Sequence, residues 1–310
     1  MNTKTIYATQ KNLKSVKPNL LYEKLDKHIG SNKLNFSSSG GLRKKNYYKS
    51  SIKDKPLISI ITVSFNSEKT IEKTILSVLQ QNYENIEYIV IDGNSKDGTL
   101  DIIKKYEGSI DLWVSENDEG IFNAINKGIS NCSGDIIGIL NSDDTLTNNA
   151  LSLVKKYFEN EVDFVFGSVE KDRLLSGFRK EKIKWKFNIY PGHSSGFFIS
   201  KNAQLKVGLY DEQFKLHADY DLIYKLVCKL NLKGIAMERN DVTGKFSLLG
   251  ESSKESFLKY SFEEWKIRKK NNQNLIFISI LIILKIIYFY LFKLNLFRNF
   301  FRFFRKKISY

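Results

Sequence analysis

The sequence predicts an α/β fold, a mainly parallel sheet flanked by helices, followed by a basic carboxyl-terminal helical segment that associates with a membrane. Apolar, β-branched runs typical of fully buried strands alternate with segments whose apolar residues recur at helical spacing. Strand–helix–strand units of this kind give right-handed crossovers and parallel neighbours. The first four strands each end in polar residues, so one edge of the sheet is predicted to carry a ligand site.

The order of elements follows from the apolar pattern. Residues 57–65, LISIITVSF, predict the first strand, and an Asn or Ser cap starts the helix after it. The later segments continue the alternation, more loosely beyond residue 144: strands at 86–92, 110–116, 134–140, 162–169 and 194–200, and helices at 99–106, 120–130 and 219–230.

Charge separates the ends of the chain from its body. Residues 1–55 and 254–310 each contain 13 Lys and Arg against 3 Asp and Glu, a net +10 apiece, so the formal +15 of the chain leaves about −5 for the body between them. An acidic body excludes nucleic acid as a partner, whereas basic ends suit an anionic membrane surface. We therefore predict a basic, mostly disordered tail at 1–52, a folded domain at 56–250 and a membrane-binding segment at 254–310.

Cysteine use and targeting signals favour the cytoplasm. Cys132 and Cys228 are isolated, so neither a zinc site nor a disulfide framework is indicated. No signal-peptide pattern opens the chain. No Gly-rich phosphate loop follows a predicted strand, which argues against P-loop and dinucleotide-binding sites.

Adjacent carboxylates mark the end of the fourth predicted strand. Asp143 and Asp144 follow the apolar run IGIL, where two like charges repel each other. Carboxylate oxygens are preferred ligands of Mg²⁺ and Mn²⁺, ions that often bridge protein to phosphate. The pair indicates a diphosphate site, and the alternative is a cap on the next helix. Asp92, after the second strand, is either a ligand acceptor or part of an Asp-Gly turn.

Four segments resemble the family 2 glycosyltransferases of GT-A fold, in particular the bacterial branch that builds capsular, O-antigen and exopolysaccharides. They are SIITVSFNSEKTIEKTILSVLQQ, EYIVIDGNSKDGT, ENDEGIFNAINKGI and GDIIGILNSDDTL, in this order. The resemblance extends over residues 56–250. It implies a nucleotide-sugar half at 56–150 and an acceptor half at 151–250.

The resemblance also implies roles for single residues in the first half. The nucleoside-diphosphate sugar is expected to contact Thr62, Ser64, Asn66, Asp92, Asp118, Asn126 and Asp143. The NSDD segment matches the family's DxD motif, so Asp144 is the expected direct ligand of a divalent cation, Mn²⁺ or Mg²⁺, with Asp143 beside it. Asn141 stands where many relatives have Asp, and a three-carboxylate site is therefore not expected.

In the acceptor half, Asp219 of HADYD falls where the family carries its catalytic base, and Asp221 lies two residues further on. Without the family pattern, this pair would be explained as acidic residues favoured by a helix dipole. His193 lies where relatives often have His-Gln, although Ser194 replaces the Gln. We expect His193 and Asp221 on the acceptor side, and the alternative for His193 is a structural histidine.

The apolar run at 275–292, LIFISILIILKIIYFYLF, is interrupted only by Ser279 and Lys285. Its length is at the lower limit for a membrane span. Basic residues flank both sides, and the positive-inside rule then disfavours a single crossing. The favoured interpretation is an in-plane or re-entrant anchor, and the alternatives are a span and a buried soluble helix.

These points predict a metal-dependent, inverting glycosyltransferase at the cytoplasmic face of the membrane, peripheral or monotopic. It would move a sugar from a nucleoside-diphosphate sugar to a saccharide or lipid-linked saccharide; inversion is implied by the resemblance alone. Two other classes stay open. A nucleotidyltransferase of sugar phosphates would carry a Gly-rich basic loop, which SFNSEKT lacks. A non-catalytic membrane scaffold would not need its strand-end carboxylates and Asp219 together.

Overall fold

The computed structural model describes residues 38–185, 189–247 and 256–293, the last three without their side chains. Contacts within the chain divide it into two units, Met1–Gly250 and Glu251–Tyr310. Two sheets and the helices packed on them make up the first unit, and two helices make up the described part of the second.

The described part of the first unit contains twelve short strands. In chain order they are β1 (Ser38–Gly40), β2 (Ile58–Ser64), β3 (Ile86–Asp92), β4 (Leu112–Ser115), β5 (Ile136–Asn141), β6 (Thr145–Leu146), β7 (Phe164–Phe166), β8 (Ser168–Glu170), β9 (Leu174–Leu175), β10 (Phe197–Ser200), β11 (Gly234–Ala236) and β12 (Val242–Lys245). The main sheet has the order β1-β4-β3-β2-β5-β10-β7-β11, and the small sheet has the order β6-β12-β8-β9. In the main sheet β4, β3, β2 and β5 are parallel, whereas β1 and β10 run antiparallel to their neighbours.

Three helices connect the parallel strands β2 to β5: α1 (Ile71–Leu79), α2 (Thr99–Lys105) and α3 (Ile121–Ser130). Later in the chain, α4 (Ala150–Phe158) lies between β6 and β7. Between β10 and β11 lie α5 (Lys201–Val207) and α6 (Ala218–Tyr224), the latter continued by a π-helical turn, Lys225–Lys229. Strands β2 and β3 are buried along their whole length, and their mainly apolar sequences lack a regular alternation of apolar and polar residues. The prediction of a mainly parallel sheet flanked by helices is confirmed.

One predicted strand is two strands. Residues 162–169 were expected to form a single element, but β7 belongs to the main sheet and β8 to the small one. The chain changes sheets at Gly167, where a Cβ atom would lie 2.2 Å from Cγ2 of Thr243. Only glycine fits this close approach. The apolar sequence pattern continues through Gly167 although the pairing partners change there, and the pattern alone therefore predicts one strand.

The predicted disordered tail is wrong for residues 38–52. β1 pairs with β4, Leu42 is buried, and Lys49 is only 2% exposed. The Lys49 ammonium donates to Asp111 Oδ2 at 2.6 Å and to the Ile86 carbonyl at 2.6 Å. Charge and polarity predict solvation, but here a buried carboxylate neutralises the lysine. Residues 1–37 lie outside the described part of the chain.

The second unit is a helical hairpin of α7 (Phe257–Lys270) and α8 (Leu275–Lys293). Phe257 stacks on Phe289 with ring centroids 4.0 Å apart, and Trp265 Nε1 donates to Ser279 Oγ at 3.4 Å. Within the described residues, no helix has both the length and the apolarity needed to cross a membrane. The basic end predicted to bind lipid, from residue 294 onward, lies outside the described residues.

Candidate active site

The polar end of β2 is tied to the loop after β3. Thr62 is buried and accepts a hydrogen bond from the Tyr88 hydroxyl at 3.1 Å. Asn66 is exposed, and its backbone adopts the left-handed region with φ 48°. Its amide donates to Ser95 Oγ at 2.8 Å, while its side-chain oxygen accepts from the Lys96 amide at 2.9 Å. The two loops therefore form one rim of the site.

Asp92 is buried at the end of β3 and is surrounded by donors. Its Oδ1 accepts from the hydroxyls of Ser64 at 3.2 Å and Ser95 at 2.5 Å. Its Oδ2 accepts from the Ser115 hydroxyl at 2.7 Å and the Ser95 amide at 3.1 Å. Four hydrogen bonds fill the acceptor capacity of a carboxylate. Asp92 therefore joins the ends of three strands. Contact with a base stays a prediction.

Asp118 lies just before α3, and Asn126 lies within this helix. A Cβ atom at Gly93 would lie 2.4 Å from Asp118 Oδ2, so the glycine makes room for that carboxylate beside Asp92. Asn126 is buried and bonded on both side-chain ends: its oxygen accepts from the Tyr210 amide at 2.9 Å, and its nitrogen donates to Glu212 Oε1 at 2.7 Å. Asn126 therefore fastens the 210–212 segment to α3.

The carboxylate pair after β5 is asymmetric. Asp143 is partly exposed, whereas Asp144 is 1% exposed. Asp144 Oδ1 accepts from the Ser247 amide at 2.8 Å, and Oδ2 has no hydrogen-bond partner among the described residues. Burial raises the pKa of Asp144 to about 7, although the Ser194 hydroxyl and the Ser247 amide oppose the shift. A buried carboxylate oxygen is thus left open.

An open, buried carboxylate oxygen fits a divalent cation. No group of three or more His, Cys, Asp or Glu side chains suited to a metal occurs in the described ranges. Two adjacent carboxylates nevertheless suffice for Mg²⁺ or Mn²⁺ when substrate phosphate and water supply the other ligands. Asp143 and Asp144 therefore match the donor set of such a site, and Asn141 adds no carboxylate to it.

Asp219 lies at the start of α6 in a group of aromatic side chains. Its Oδ2 accepts from the Tyr190 hydroxyl at 2.8 Å. His193 Nε2 and the Tyr210 hydroxyl lie 2.6 Å apart, and His193 stacks on Phe197. Burial raises the pKa of Tyr190 and of Tyr210 well above the usual range, with the charge of Asp219 acting in the same direction. Both phenols therefore stay protonated.

The aromatic group also fixes the state of His193. Burial lowers the pKa of its imidazole, although the nearby Asp219 charge opposes the shift. The ring is consequently neutral near pH 7. Asp221, in contrast, is fully buried and forms an ion pair with Lys225 at 2.6 Å, one turn along the helix. An acceptor-side role for Asp221 stays a prediction, and its ion pair points to a structural use.

Consecutive residues connect the two acidic centres. His193 lies beside Asp219, and Ser194 lies beside Asp144 while accepting from the Asn141 amide at 2.8 Å. Ser195, next in the chain, has φ 59°. Neighbouring residues of one short segment therefore lie near the α6 carboxylate and near the strand-end carboxylate Asp144.

Sequence reasoning missed Tyr190, Ser194 and Tyr210 as site residues. Their sequence spacing indicates no partner, since Tyr190 and Asp219 are 29 positions apart and His193 and Tyr210 are 17 apart. The available signal was the cluster of polar and aromatic residues in YPGHSS, next to an otherwise apolar strand.

The model for Glycosyl transferase family 2 matches residues 59–213. An uncharacterized glycosyltransferase of Mycobacterium tuberculosis is 33% identical over 188 residues, which cover 56% of this chain and 71% of that protein. The UDP-Glc:alpha-D-GlcNAc-diphosphoundecaprenol beta-1,3-glucosyltransferase of Escherichia coli is 35% identical over 119 residues, 38% of this chain and 47% of that protein.

Solved structures share the fold. Staphylococcus aureus TarS 1–349 in complex with UDP-GlcNAc has a TM-score of 0.57 at 15% identity, covering 73% of this chain and 70% of that one. The Pyrobaculum calidifontis mannosyltransferase in complex with GDP-Man and Mn²⁺ has a TM-score of 0.54 at 15% identity, covering 74% and 70%. At such identity these likenesses concern the fold alone. From the matched family model and the extent of the mycobacterial relative, the chain belongs to glycosyl transferase family 2.

Proposed function

We propose that this glycosyltransferase moves a sugar from a nucleoside-diphosphate sugar to a hydroxyl of a lipid-linked saccharide during bacterial surface-polysaccharide synthesis. The E. coli relative is named for a UDP-sugar donor and a diphosphoundecaprenol-linked acceptor, which supports both substrate classes. The S. aureus and P. calidifontis structures hold nucleotide sugars in the same fold.

The observation that carries the proposal is that consecutive residues, His193 and Ser194, lie near two open carboxylates, Asp219 and Asp144 respectively. Asp144 keeps one buried oxygen without a partner, and Asp219 has one oxygen bonded to Tyr190 while the described residues offer no donor to the other. Glycosyl transfer needs these two functions next to each other: stabilisation of a leaving diphosphate, and removal of a proton from the attacking hydroxyl.

On the acceptor side, Asp219 is the proposed general base. Tyr190 is a neutral phenol that donates a hydrogen bond to Oδ2 of Asp219. The other carboxylate oxygen, Oδ1, is therefore the one proposed to accept the proton. The acceptor hydroxyl would give its proton to Asp219 as its oxygen attacks the anomeric carbon, and the diphosphate would leave from the opposite face with inversion. His193, neutral and held against Tyr210, is proposed to line the acceptor pocket.

On the donor side, the rim formed by the ends of β2 and β3 is proposed to hold the nucleotide. Asn66 and Asp118 are the partly or fully exposed side chains there, and we propose them as direct contacts. Thr62, Ser64, Asp92 and Asn126 are buried and bonded within the protein, so we propose that they fix the shape of this rim. Asp143 is proposed to face the ribose or sugar.

A divalent cation, Mn²⁺ or Mg²⁺, when bound, would neutralise charge on the leaving diphosphate. Asp144 and Asp143 would hold it. The Mn²⁺ in the P. calidifontis structure supports the choice of ion, since that protein shares the fold. A lipid-linked acceptor would place the enzyme at the cytoplasmic face of the membrane, as a peripheral or monotopic protein.

The test is a product assay on the purified full-length chain. The protein would be incubated with a panel of sugar nucleotides, Mn²⁺ and a polyprenyl-diphosphate-linked saccharide. Acceptor-dependent release of nucleoside diphosphate, with a lengthened lipid-linked glycan, is the expected result. In a parallel incubation with a nucleoside triphosphate and a sugar 1-phosphate, release of inorganic pyrophosphate would instead indicate a nucleotidyltransferase. No product in either incubation would favour the scaffold alternative.

A further inference from the structure

The hairpin of α7 and α8 carries an exposed apolar face. Its members are Ile276, Ile280, Ile283, Leu284 and Ile287, which are 72%, 53%, 55%, 58% and 48% exposed. Their spacing places all of them on one side of α8, at about 100° per residue. Single exposed apolar residues are ordinary on protein surfaces, whereas a continuous face of this kind marks an interaction site. We call these five residues the apolar face.

The charge within α8 points away from the apolar face. Lys285 lies roughly opposite its centre, on the helix side that meets α7. There the Lys285 ammonium contacts Glu264 Oε1 at 2.5 Å, and the same oxygen accepts a hydrogen bond from Arg268 Nε at 2.9 Å. Glu264 is buried, with 5% of its surface exposed. The lysine that interrupts the apolar sequence is therefore paired with a buried carboxylate inside the hairpin.

An aromatic and cationic border adjoins the apolar face. Phe262 is 59% exposed and stacks against Trp265, whose indole reaches Ser279 near the edge of the apolar face. Lys266 Nζ lies 4.6 Å from the Phe262 ring centroid, and Lys269 Nζ lies 5.1 Å from that of Trp265. Aromatic rings with cationic tips are typical of the boundary between acyl chains and headgroups.

We propose that this hairpin docks on an anionic lipid surface, with the apolar face among the acyl chains and Lys266 and Lys269 at the phosphates. The Glu264–Lys285 pair keeps the apolar face free of charge. A second copy of the chain fits less well, because residues 256–293 contain seven Lys and Arg against two Glu, and two such surfaces would repel each other. Docking deepens the proposed function and rests on it, because the enzyme would meet its lipid-linked acceptor on this surface.

The test measures binding and not transfer, so it can fail independently of the proposed function. Full-length protein would be sedimented with phosphatidylcholine vesicles and with vesicles that also contain phosphatidylglycerol. We expect binding to both, tighter with phosphatidylglycerol. Ile280→Lys should weaken binding to both about tenfold or more, because it places a charge among acyl chains.

Two matched variants separate orientation from general charge effects. Lys285→Met should change affinity by less than about threefold, because that lysine is already paired away from lipid. Leu230→Lys, at a 38% exposed apolar residue of the first unit, should leave vesicle binding unchanged. Circular dichroism would establish that each variant keeps the helix content of the parent.

Three results would overturn the proposal. Unchanged vesicle binding by Ile280→Lys would remove the apolar face as the docking surface. A gain of more than about tenfold for Lys285→Met would mean that Lys285 faces lipid. Conversion of a dimer to a monomer by Ile280→Lys in analytical ultracentrifugation, with vesicle binding intact, would assign the apolar face to a second copy of the chain.

Discussion

Asp92 is the last residue of β3, and Asp144 follows β5. Both strands flank β2, and both carboxylates are almost completely buried, at 0% and 1% exposure. Asp92 accepts four hydrogen bonds, three from serine hydroxyls and one from an amide. Asp144 accepts from the Ser247 amide at Oδ1, and the Ser194 hydroxyl acts on the same carboxyl, but its Oδ2 has no partner among the described residues.

The difference separates two uses of a strand-end carboxylate. A buried charge is stable when donors surround it, and costly when they do not. We call Asp92 a closed carboxylate, because donors from the protein occupy both of its oxygens and join neighbouring strands. Asp144 is an open one, and so is Asp219, which has only one oxygen bonded to Tyr190 in the described structure. We expect open carboxylates to affect turnover and closed ones to affect stability.

The largest effect is expected for the open carboxylate on α6. Asp219→Asn keeps the shape of the side chain and removes its ability to take a proton, so kcat should fall about 100- to 10,000-fold. Steady-state transfer assays would measure kcat, and titration with the sugar nucleotide would show an affinity close to that of the parent. Loss of donor affinity in this variant would move Asp219 into the nucleotide pocket.

A large effect on turnover, without loss of stability, is expected for Asp144→Asn. Turnover should fall about 100-fold or more, since a bound cation contributes several kcal/mol of charge stabilisation. The melting temperature should not fall, because the amide replaces an oxygen that has no partner. Mn²⁺ with nucleoside diphosphate should raise the melting temperature of the parent and not of the variant. Full activity, with no response of the parent to chelator, would contradict a metal site here.

The closed carboxylate should behave in the opposite way. Asp92→Asn loses charge-assisted acceptors, so the free energy of unfolding should fall by about 2 to 3 kcal/mol. Urea denaturation of this variant and of Asp144→Asn, side by side, would measure the contrast. If Asp92→Asn kept its stability and raised the KM for the donor, Asp92 would contact the base, and the distinction between closed and open carboxylates would fail for it.

The smallest effect is expected for the residue that holds Asp219. Tyr190→Phe removes one hydrogen bond to the carboxylate and leaves the ring in place, so kcat should fall about tenfold with the donor KM unchanged. Tyr210→Phe is the matched control, because its hydroxyl contacts His193 and not Asp219. Equal losses of kcat in the two variants would mean that the aromatic group acts as packing and not by positioning Asp219.

The sequence predicts those parts of the molecule that depend on neighbours along the chain. The buried runs of β2 and β3 and the helical spacing of α1 are local signals, and they are found where expected. The polar strand ends that surround the site are local signals too. The strand-end position of Asp92 is one of them, and the carboxylate pair after β5 is another.

Features that depend on distant partners could not be predicted. Whether a strand-end carboxylate is closed depends on residues such as Ser115, which is 23 positions from Asp92. The contact of Tyr190 with Asp219 arises from the packing of separate segments, and so does the burial of Lys49. In each case a polar residue is stable inside the protein only because its partner comes from elsewhere in the chain.

The burial of Lys49 has a practical consequence for expressing this protein. The family match begins at residue 59, but the segment that carries β1, Arg43 and Lys49 precedes it. A fragment cut at that boundary would uncover the edge of β4 and leave Glu87 and Asp111 buried without their cations. We expect such a fragment to aggregate, and one that begins before residue 38 to stay in solution.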